Sequence, residues 1–331
     1  MNIYIVYNYW ELLLSLMILE AQEKNKNNLL IVVKNEIKES IIQKLKNKYN
    51  VLEYSFSPNR ILRLLSFYYK IHIILPNNLK SLLNKVEKII SFSDQDAITR
   101  YFIKNKKNID LYEHGNINYK TEFNGIDQKI KRILFRMEKP YGRNEYVKNI
   151  YLRGTGIIPE DIKSKVIIID LDKIWGNITN EGKKAILEVF GLDIKEIKDI
   201  ENKEMILFTQ PFSEDGVLTE REKIDLYKKI IDKYDRNKLI IKNHPREKTE
   251  YNKEFSDITI LEKTFPSELL LFMGLKIKKV ITVGSTVVSI FSGKSEIDFY
   301  GAEAHPKILK YYGNIDFFIK RNKTIDKEKN E

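Results

Sequence analysis

The sequence predicts an α/β chain built from two parallel, helix-covered sheets. Three observations carry this. Short continuous apolar runs recur along the chain, such as Ile3-Tyr4-Ile5-Val6, Leu29-Leu30-Ile31-Val32-Val33 and Leu239-Ile240-Ile241. Unbroken apolarity is what a strand buried on both faces requires. Stretches at helical spacing separate these runs, and strands alternating with helices imply a parallel sheet with right-handed crossovers. The length of 331 residues suits two domains.

In the first half, strands are expected at 2–6, 28–33, 51–56, 71–75, 86–91 and 108–112. The first helix spans 9–22, with Leu12, Leu13, Leu16, Met17 and Leu19 at helical spacing. Further helices are expected over 36–46, 58–69, 79–83 and 94–103, with Pro58 opening its own. No G-x-G-x-x-G follows the first strand, which argues against a dinucleotide site. This half ends at Tyr112-Glu113-His114-Gly115, which sets Glu113 and His114 on a loop beyond a strand. The loop reads equally as a catalytic or acceptor-binding segment and as a polar turn permitted by Gly115.

The alternation breaks across 121–148. Ile126, Ile130, Ile133, Leu134 and Met137 fall on one helical face, and Lys129, Lys131, Arg132, Arg136 and Lys139 make another face basic. Such a helix suits the interface of an anionic bilayer. It also suits an ordinary linker or dimer helix. Pro140-Tyr141-Gly142 stops it.

In the second half, strands are expected at 149–152, 166–171, 204–208, 239–242, 258–261, 280–283 and 297–299. Helices are expected over 183–190, 219–234 and 266–272, the second opening with the capping box Thr219-Glu220-Arg221-Glu222. The expected organisation is a first domain at 1–118, a linker with the basic helix at 119–150, a second domain at 151–320 and a charged, frayed tail at 321–331.

Lys and Arg number 57 against 46 Asp and Glu, giving a net charge of +11. The basic residues are dispersed, and no nucleic-acid module is recognisable, so no nucleic-acid partner is expected. Apolar residues make up 43% of the chain and Cys is 0, which removes disulfides and thiolate metal sites and fits the cytosol. No signal-peptide pattern is visible, and no apolar run approaches the roughly 20 residues of a spanning helix. The chain has 4 His residues, and His72, His114, His244 and His305 are too scattered for a metal-binding pair. His305-Pro306 follows Gly301-Ala302-Glu303-Ala304, not a strand, and reads as a surface turn.

The chemistry concentrates in the second half. His244 stands at the carboxyl end of the strand over 239–242, flanked by Lys242 and Arg246, and the chain turns at Pro245. Ligands of open parallel sheets bind beyond strand carboxyl ends, and an imidazole between two cations suits an anion. The strand over 204–208 leads into Ser213-Glu214-Asp215-Gly216, which delivers carboxylates to a comparable loop. A proton donor and a proton acceptor are the pair that group transfer needs. Pro266 and Glu268 open a helix after another strand, where a carboxylate serves either ribose hydroxyls or the helix dipole. Gly284, Ser285 and Thr286 form a turn with two hydroxyls at a helix start, which is either a phosphate site or a plain N-cap.

Ser213-Glu214-Asp215-Gly216, Lys242-Asn243-His244-Pro245-Arg246, Phe265-Pro266-Ser267-Glu268 and Gly284-Ser285-Thr286 together resemble glycosyltransferase family 52, the bacterial lipooligosaccharide sialyltransferases. The resemblance implies a GT-B fold of two Rossmann-like domains with the active site in the inter-domain cleft. It implies CMP-sialic acid as donor, a galactosyl-type acceptor, inversion at the anomeric carbon, and no metal or other cofactor. It implies Asp215 as general base and His244 as general acid at the departing phosphate. Arg246 would hold anionic groups of the donor, Ser285 and Thr286 the phosphate, and Lys242, Pro266 and Glu268 the cytidine, with Pro245 and Gly284 shaping their turns. Glu113 and Glu214 are reserve candidates for the base. A homodimer, with or without exchanged amino-terminal domains, and peripheral contact with an anionic inner membrane complete the expectation. The competing readings are a glucosyltransferase or similar enzyme on the same scaffold and, more remotely, a non-catalytic basic binding protein.

Overall fold

The computed structural model describes residues 1–21, 27–34, 37–55, 77–119, 140–154, 156–192, 200–261 and 265–313. The expected strand at 71–75, the helix after Pro58, the basic helix over 121–139 and the charged tail lie outside the described residues. The chain divides into two compact units, Met1–Gly191 and Leu192–Glu331.

The first unit runs β1 (Asn2–Val6), α1 (Tyr9–Ala21), β2 (Asn28–Val33), α2 (Glu39–Lys46), β3 (Val51–Tyr54), α3 (Asn77–Leu82), β4 (Lys88–Ser91), α4 (Ala97–Lys104), β5 (Ile109–Tyr112), β6 (Val147–Leu152), β7 (Val166–Ile168), α5 (Leu171–Gly176) and α6 (Asn180–Phe190). Its described strands form one parallel sheet in the order β3-β2-β1-β4-β5-β6-β7. The order reverses between β1 and β4, the position where such sheets open a crevice at their carboxyl ends. Ile3, Ile5, Ile31, Ile89, Ile109 and Leu111 build the core beneath it. Central β1 is buried at every residue. The outer strand β7 leaves Ile167 and Ile168 exposed.

Two strands expected in the second half, at 149–152 and 166–171, belong instead to this first sheet as β6 and β7. The reason is visible in the β5–β6 pairing. Tyr112 and Tyr151 stack at 4.3 Å, and Asn149 donates to Asp110 at 2.8 Å. The segment that interrupts the alternation is therefore an insertion between neighbouring strands of one sheet. Helices α5 and α6 then return to cover α1. That explains why α1 is buried continuously from Glu11 to Leu19, beyond the single apolar stripe read from its spacing. A helix that is apolar around its whole circumference belongs inside the protein.

The second unit runs β8 (Met205–Phe208), α7 (Glu220–Ile231), β9 (Leu239–Lys242), α8 (Tyr251–Glu254), β10 (Thr259–Leu261), α9 (Glu268–Phe272), β11 (Lys279–Thr282), β12 (Glu296–Phe299) and α10 (Pro306–Tyr312). Its parallel sheet has the order β10-β9-β8-β11-β12. Here the order reverses between β8 and β11. Helix α7 begins with the capping box expected at Thr219 and Glu222. Lys307 then pairs with Glu222 at 2.7 Å, tying α10 to the start of α7.

Candidate active site

In the second unit, the carboxyl ends of β8, β9 and β11 bring most of the expected residues together. The loop after β9 is a self-braced turn. The Glu247 N–H donates to the His244 carbonyl at 3.0 Å, and Pro245 occupies the second position, where its fixed φ suits a β-turn. The Arg246 N–H donates to His244 Nδ1 at 3.2 Å, so the neutral ring carries its proton on Nε2. The His244 N–H donates to Glu247 Oε2 at 2.7 Å.

Glu247 is buried and anchors this turn from below. It accepts from the Thr209 hydroxyl and from the Tyr251 hydroxyl at 2.8 Å, and Lys223 lies 3.7 Å away. The Lys223 side chain is 0% exposed and also meets Glu214 at 2.9 Å and Glu220 at 3.3 Å. One buried ammonium thus links the loop after β8 to the loop after β9. Burial pushes the Glu247 carboxyl up, against the hydrogen bonds from Thr209, His244 and Tyr251 and the nearby Lys223. Burial would also raise Glu214, but the Lys248 N–H and the Lys223 ammonium outweigh it and hold that carboxyl below its ordinary range.

The two carboxylates expected on the loop after β8 are both engaged. Glu214 receives Lys223 and, at 2.6 Å, the Lys248 N–H. Asp215 lies in the fork of Arg246, at 2.6 and 3.2 Å, and accepts from the Tyr312 hydroxyl at 3.3 Å. Gly216 closes the turn at φ +70, a left-handed conformation that glycine adopts without strain. Arg246 is the outermost of these groups, at 59% side-chain exposure.

His244 sits among positive groups. Burial lowers its pKa to about 4, helped by the Arg246 and Lys242 charges and opposed by Asp215 and Glu214. Without a ligand the imidazole is therefore neutral at pH 7. Lys242 is buried, with its ammonium 4.6 Å from the Phe265 ring centre. This contact joins the end of β9 to the segment carrying Pro266 and Glu268. Glu268 is the first residue of α9, and Pro266 stands ahead of the Ser267 cap.

The turn after β11 engages its own backbone donors. The Gly284 and Ser285 N–H groups are not open to an anion; both donate to Thr282 Oγ1, at 3.3 and 3.0 Å. Ser285 caps the 3-10 turn Thr286–Phe291 by accepting from the Val287 N–H. Its own hydroxyl proton remains available as a donor. The Thr286 side chain lies outside the described part of the chain. His305 caps α10 through Nδ1, in keeping with the turn role read from the sequence. Among the described residues no group of three or more His, Asp or Glu could hold a metal ion.

The first unit carries a second polar cluster, at the reversal point between β1 and β4. Asn8 accepts from the Glu11 N–H at 3.0 Å, and Glu11 reaches back to the Tyr7 N–H at 2.6 Å. This is a capping arrangement of the Asn-x-x-Glu kind. Glu11 is 1% exposed, and its other oxygen lies 2.6 Å from His114 Nδ1. The Tyr7 hydroxyl donates to Asp96 at 2.6 Å, and Asp96 caps α4. Burial pushes the Asp96 carboxyl up to about 6, against hydrogen bonds from Thr99 and Tyr7. The hydrogen bond to Glu11 raises the His114 pKa, and burial opposes it. Glu113, a reserve base, is instead a strand clamp. It is 0% exposed and accepts from the Tyr119 hydroxyl and from the Arg153 backbone and side chain.

Sequence reading passed over Lys223, Glu247 and Glu11. The Asn8-to-Glu11 spacing was a usable signal for the last. Nothing in the pattern of α7 marks Lys223 as a buried cation.

The family model described as "Glycosyltransferase family 52" matches residues 25–308. An uncharacterized protein of Haemophilus influenzae (strain KW20 / Rd) is 41% identical over 239 residues, covering 72% of this chain and 76% of that protein. The 2,6-sialyltransferase of Photobacterium sp. JT-ISH-224, solved as a ternary complex with CMP and lactose, superposes with a TM-score of 0.62 at 12% identity, covering 90% of this chain and 70% of that one. The α-2,3-sialyltransferase of Photobacterium phosphoreum gives 0.56 at 16% identity, covering 97% and 96%. UDP-GlcNAc 2-epimerase of Methanocaldococcus jannaschii, in complex with UDP-GlcNAc and UDP, gives 0.52 at 17% identity, covering 95% and 93%. At these identities the likeness is one of fold: two Rossmann-like units of GT-B type.

Proposed function

The chain belongs to glycosyltransferase family 52, and from that premise we propose that it is an inverting, metal-independent sialyltransferase. It moves sialic acid from CMP-sialic acid to a galactosyl-type acceptor of a surface glycan. The observation that carries this is the His244 turn: an imidazole of set tautomer, between Lys242 and Arg246, beyond β9. A nucleoside monophosphate leaving group bears less charge than a diphosphate. Two cations, the Ser285 hydroxyl and one proton are a sufficient set for it, because electrostatic stabilisation aimed at developing charge is commonly the largest catalytic term.

In this reading His244 takes up a proton from solvent when the donor phosphate binds, since a nearby anion favours the charged imidazole, and Nδ1 then gives up the Arg246 N–H. As the bond between the anomeric carbon and the phosphate oxygen breaks, the electron pair stays on that oxygen and His244 protonates it. Arg246 holds an anionic group of the donor, Lys242, Pro266 and Glu268 hold the cytidine, and Pro245 and Gly284 fix the turns around it. Ser285 and Thr286 serve the phosphate through their hydroxyls. Asp215 keeps Arg246 in place, and its expected role as base would require that guanidinium to let go.

The same reading assigns the enzyme to the cytoplasm, peripheral to an anionic inner membrane, as a homodimer; light scattering that finds only monomer would remove the dimer. Thermal-shift measurements with CMP, UMP and UDP test the donor class. Stabilisation selective for CMP supports the reading, and stabilisation selective for UDP favours another nucleotide-sugar transferase on this scaffold.

A further inference from the structure

We infer that Tyr312 is a positioning residue for the anionic group of the donor, acting through Asp215 on Arg246. This rests on the transferase reading above, which gives that anionic group to Arg246. All three side chains belong to the second unit. Tyr312 ends α10, Asp215 lies on the loop after β8 and Arg246 on the loop after β9.

The Arg246 fork meets both oxygens of Asp215, Nη1 at 2.6 Å from Oδ1 and Nη2 at 3.2 Å from Oδ2. The Tyr312 hydroxyl donates to that same Oδ2 at 3.3 Å. The longer arm of the fork therefore shares its oxygen with Tyr312. A carboxylate held only by the fork can turn and carry the guanidinium with it. A further donor on Oδ2 fixes the plane of the carboxylate, and with it the plane of the fork. The pair uses one N–H of each terminal nitrogen, and a guanidinium has five N–H groups, so the others remain for a ligand. Arg246 is 59% exposed against 22% for Asp215, so the guanidinium is the member a ligand can reach.

Tyr312 is itself held from two sides. Its ring stands edge-on to Phe212 at 6.2 Å, and Phe212 is buried in the turn that carries Asp215. The Lys307–Glu222 pair ties α10 to the start of α7. Burial, then the Asp215 charge, raises the pKa of the phenol, with Arg246 opposing. The hydroxyl keeps its proton at neutral pH and stays a donor.

A fork already fixed in orientation loses less freedom when it grips a planar two-oxygen anion. Tyr312 should therefore act on donor affinity and leave the chemical step alone. An exposed hydrogen bond of this length belongs at the low end of such contributions, so its loss should cost less than the loss of Asp215 itself.

The test measures donor KM and kcat on the full chain with CMP-N-acetylneuraminate and lactose, scoring CMP release. It compares wild type, Tyr312→Phe, Asp215→Asn and the double variant. Phe keeps the ring against Phe212 and removes only the hydroxyl, and a melting curve checks that the fold is kept. The expected result for Tyr312→Phe is a donor KM raised about threefold with kcat unchanged. In the Asp215→Asn background the same change should add nothing, because residues that act through one another are not additive. An unmoved KM overturns the inference, as does an equal rise in the Asp215→Asn background or a loss confined to kcat. If the wild-type chain does not consume this donor, the donor reading fails by itself. The positioning is then judged by 15N NMR of the Arg246 guanidinium: faster rotation about its Nε–Cζ bond in Tyr312→Phe keeps it, and unchanged rotation overturns it.

Discussion

Glu247 receives the backbone N–H of His244 at 2.7 Å, so a buried carboxylate sets the position of the imidazole at the end of β9. The same carboxylate is 3.7 Å from the fully buried Lys223. Lys223 in turn braces Glu214 on the neighbouring loop. The two loops after β8 and β9 are therefore one electrostatic unit.

Removing one partner of that unit leaves a buried charge uncompensated, which destabilises by about 3–5 kcal/mol. Glu247→Ala should fall in this range in urea denaturation. Lys223→Met, which leaves Glu247 and Glu214 without the cation between them, should fall in the same range. The double substitution should lose less than the sum of the two singles, because residues in one network are not additive.

His244→Ala should reduce turnover by at least about 10²-fold while the chain still folds and its thermal midpoint stays close to wild type. Steady-state kinetics beside a melting curve separate the two effects. Near-normal turnover would remove His244 from the acid role.

The low pKa of His244 has a consequence for stability. Its folded value, about 4, lies below the ordinary value near 6.5. The unfolded chain then binds the proton more readily than the folded one, so stability rises with pH across this interval. The contribution is complete above about pH 6.5 and is lost on acidification toward about pH 4. His244→Gln should flatten that part of the stability curve. NMR titration should also find the His244 pKa higher with CMP bound than without.

Asp215→Asn frees Arg246 from its two-point partner. The expected outcome is a donor KM raised by about tenfold, equivalent to about 1.4 kcal/mol, with a smaller change in kcat. A loss of kcat as large as that of His244→Ala would return Asp215 to the role of base.

Much of this was legible in the sequence because it depends on local pattern. Leu239-Ile240-Ile241-Lys242 forms the strand expected of it, and Thr219 and Glu222 form the expected capping box. His244 and Arg246 flank Pro245 on one turn as read. What was not legible depends on long-range pairing. The stacking of Tyr112 on Tyr151 assigns β6 to the first sheet, and no local signal announces it. The burial of Lys223 and Glu247 follows from how two loops meet over α7. The capture of the Gly284 and Ser285 N–H groups by Thr282 depends on a side-chain rotamer, which the turn sequence does not specify.

The central claim is that the His244 turn serves a cytidine monophosphate leaving group. It is tested most directly by following the purified chain with CMP-N-acetylneuraminate and lactose by NMR, beside a parallel reaction supplied with UDP-N-acetylglucosamine. The expected result is free CMP and a new sialylated, inverted product in the first reaction only. Consumption of the UDP-sugar with CMP-N-acetylneuraminate left intact would contradict it.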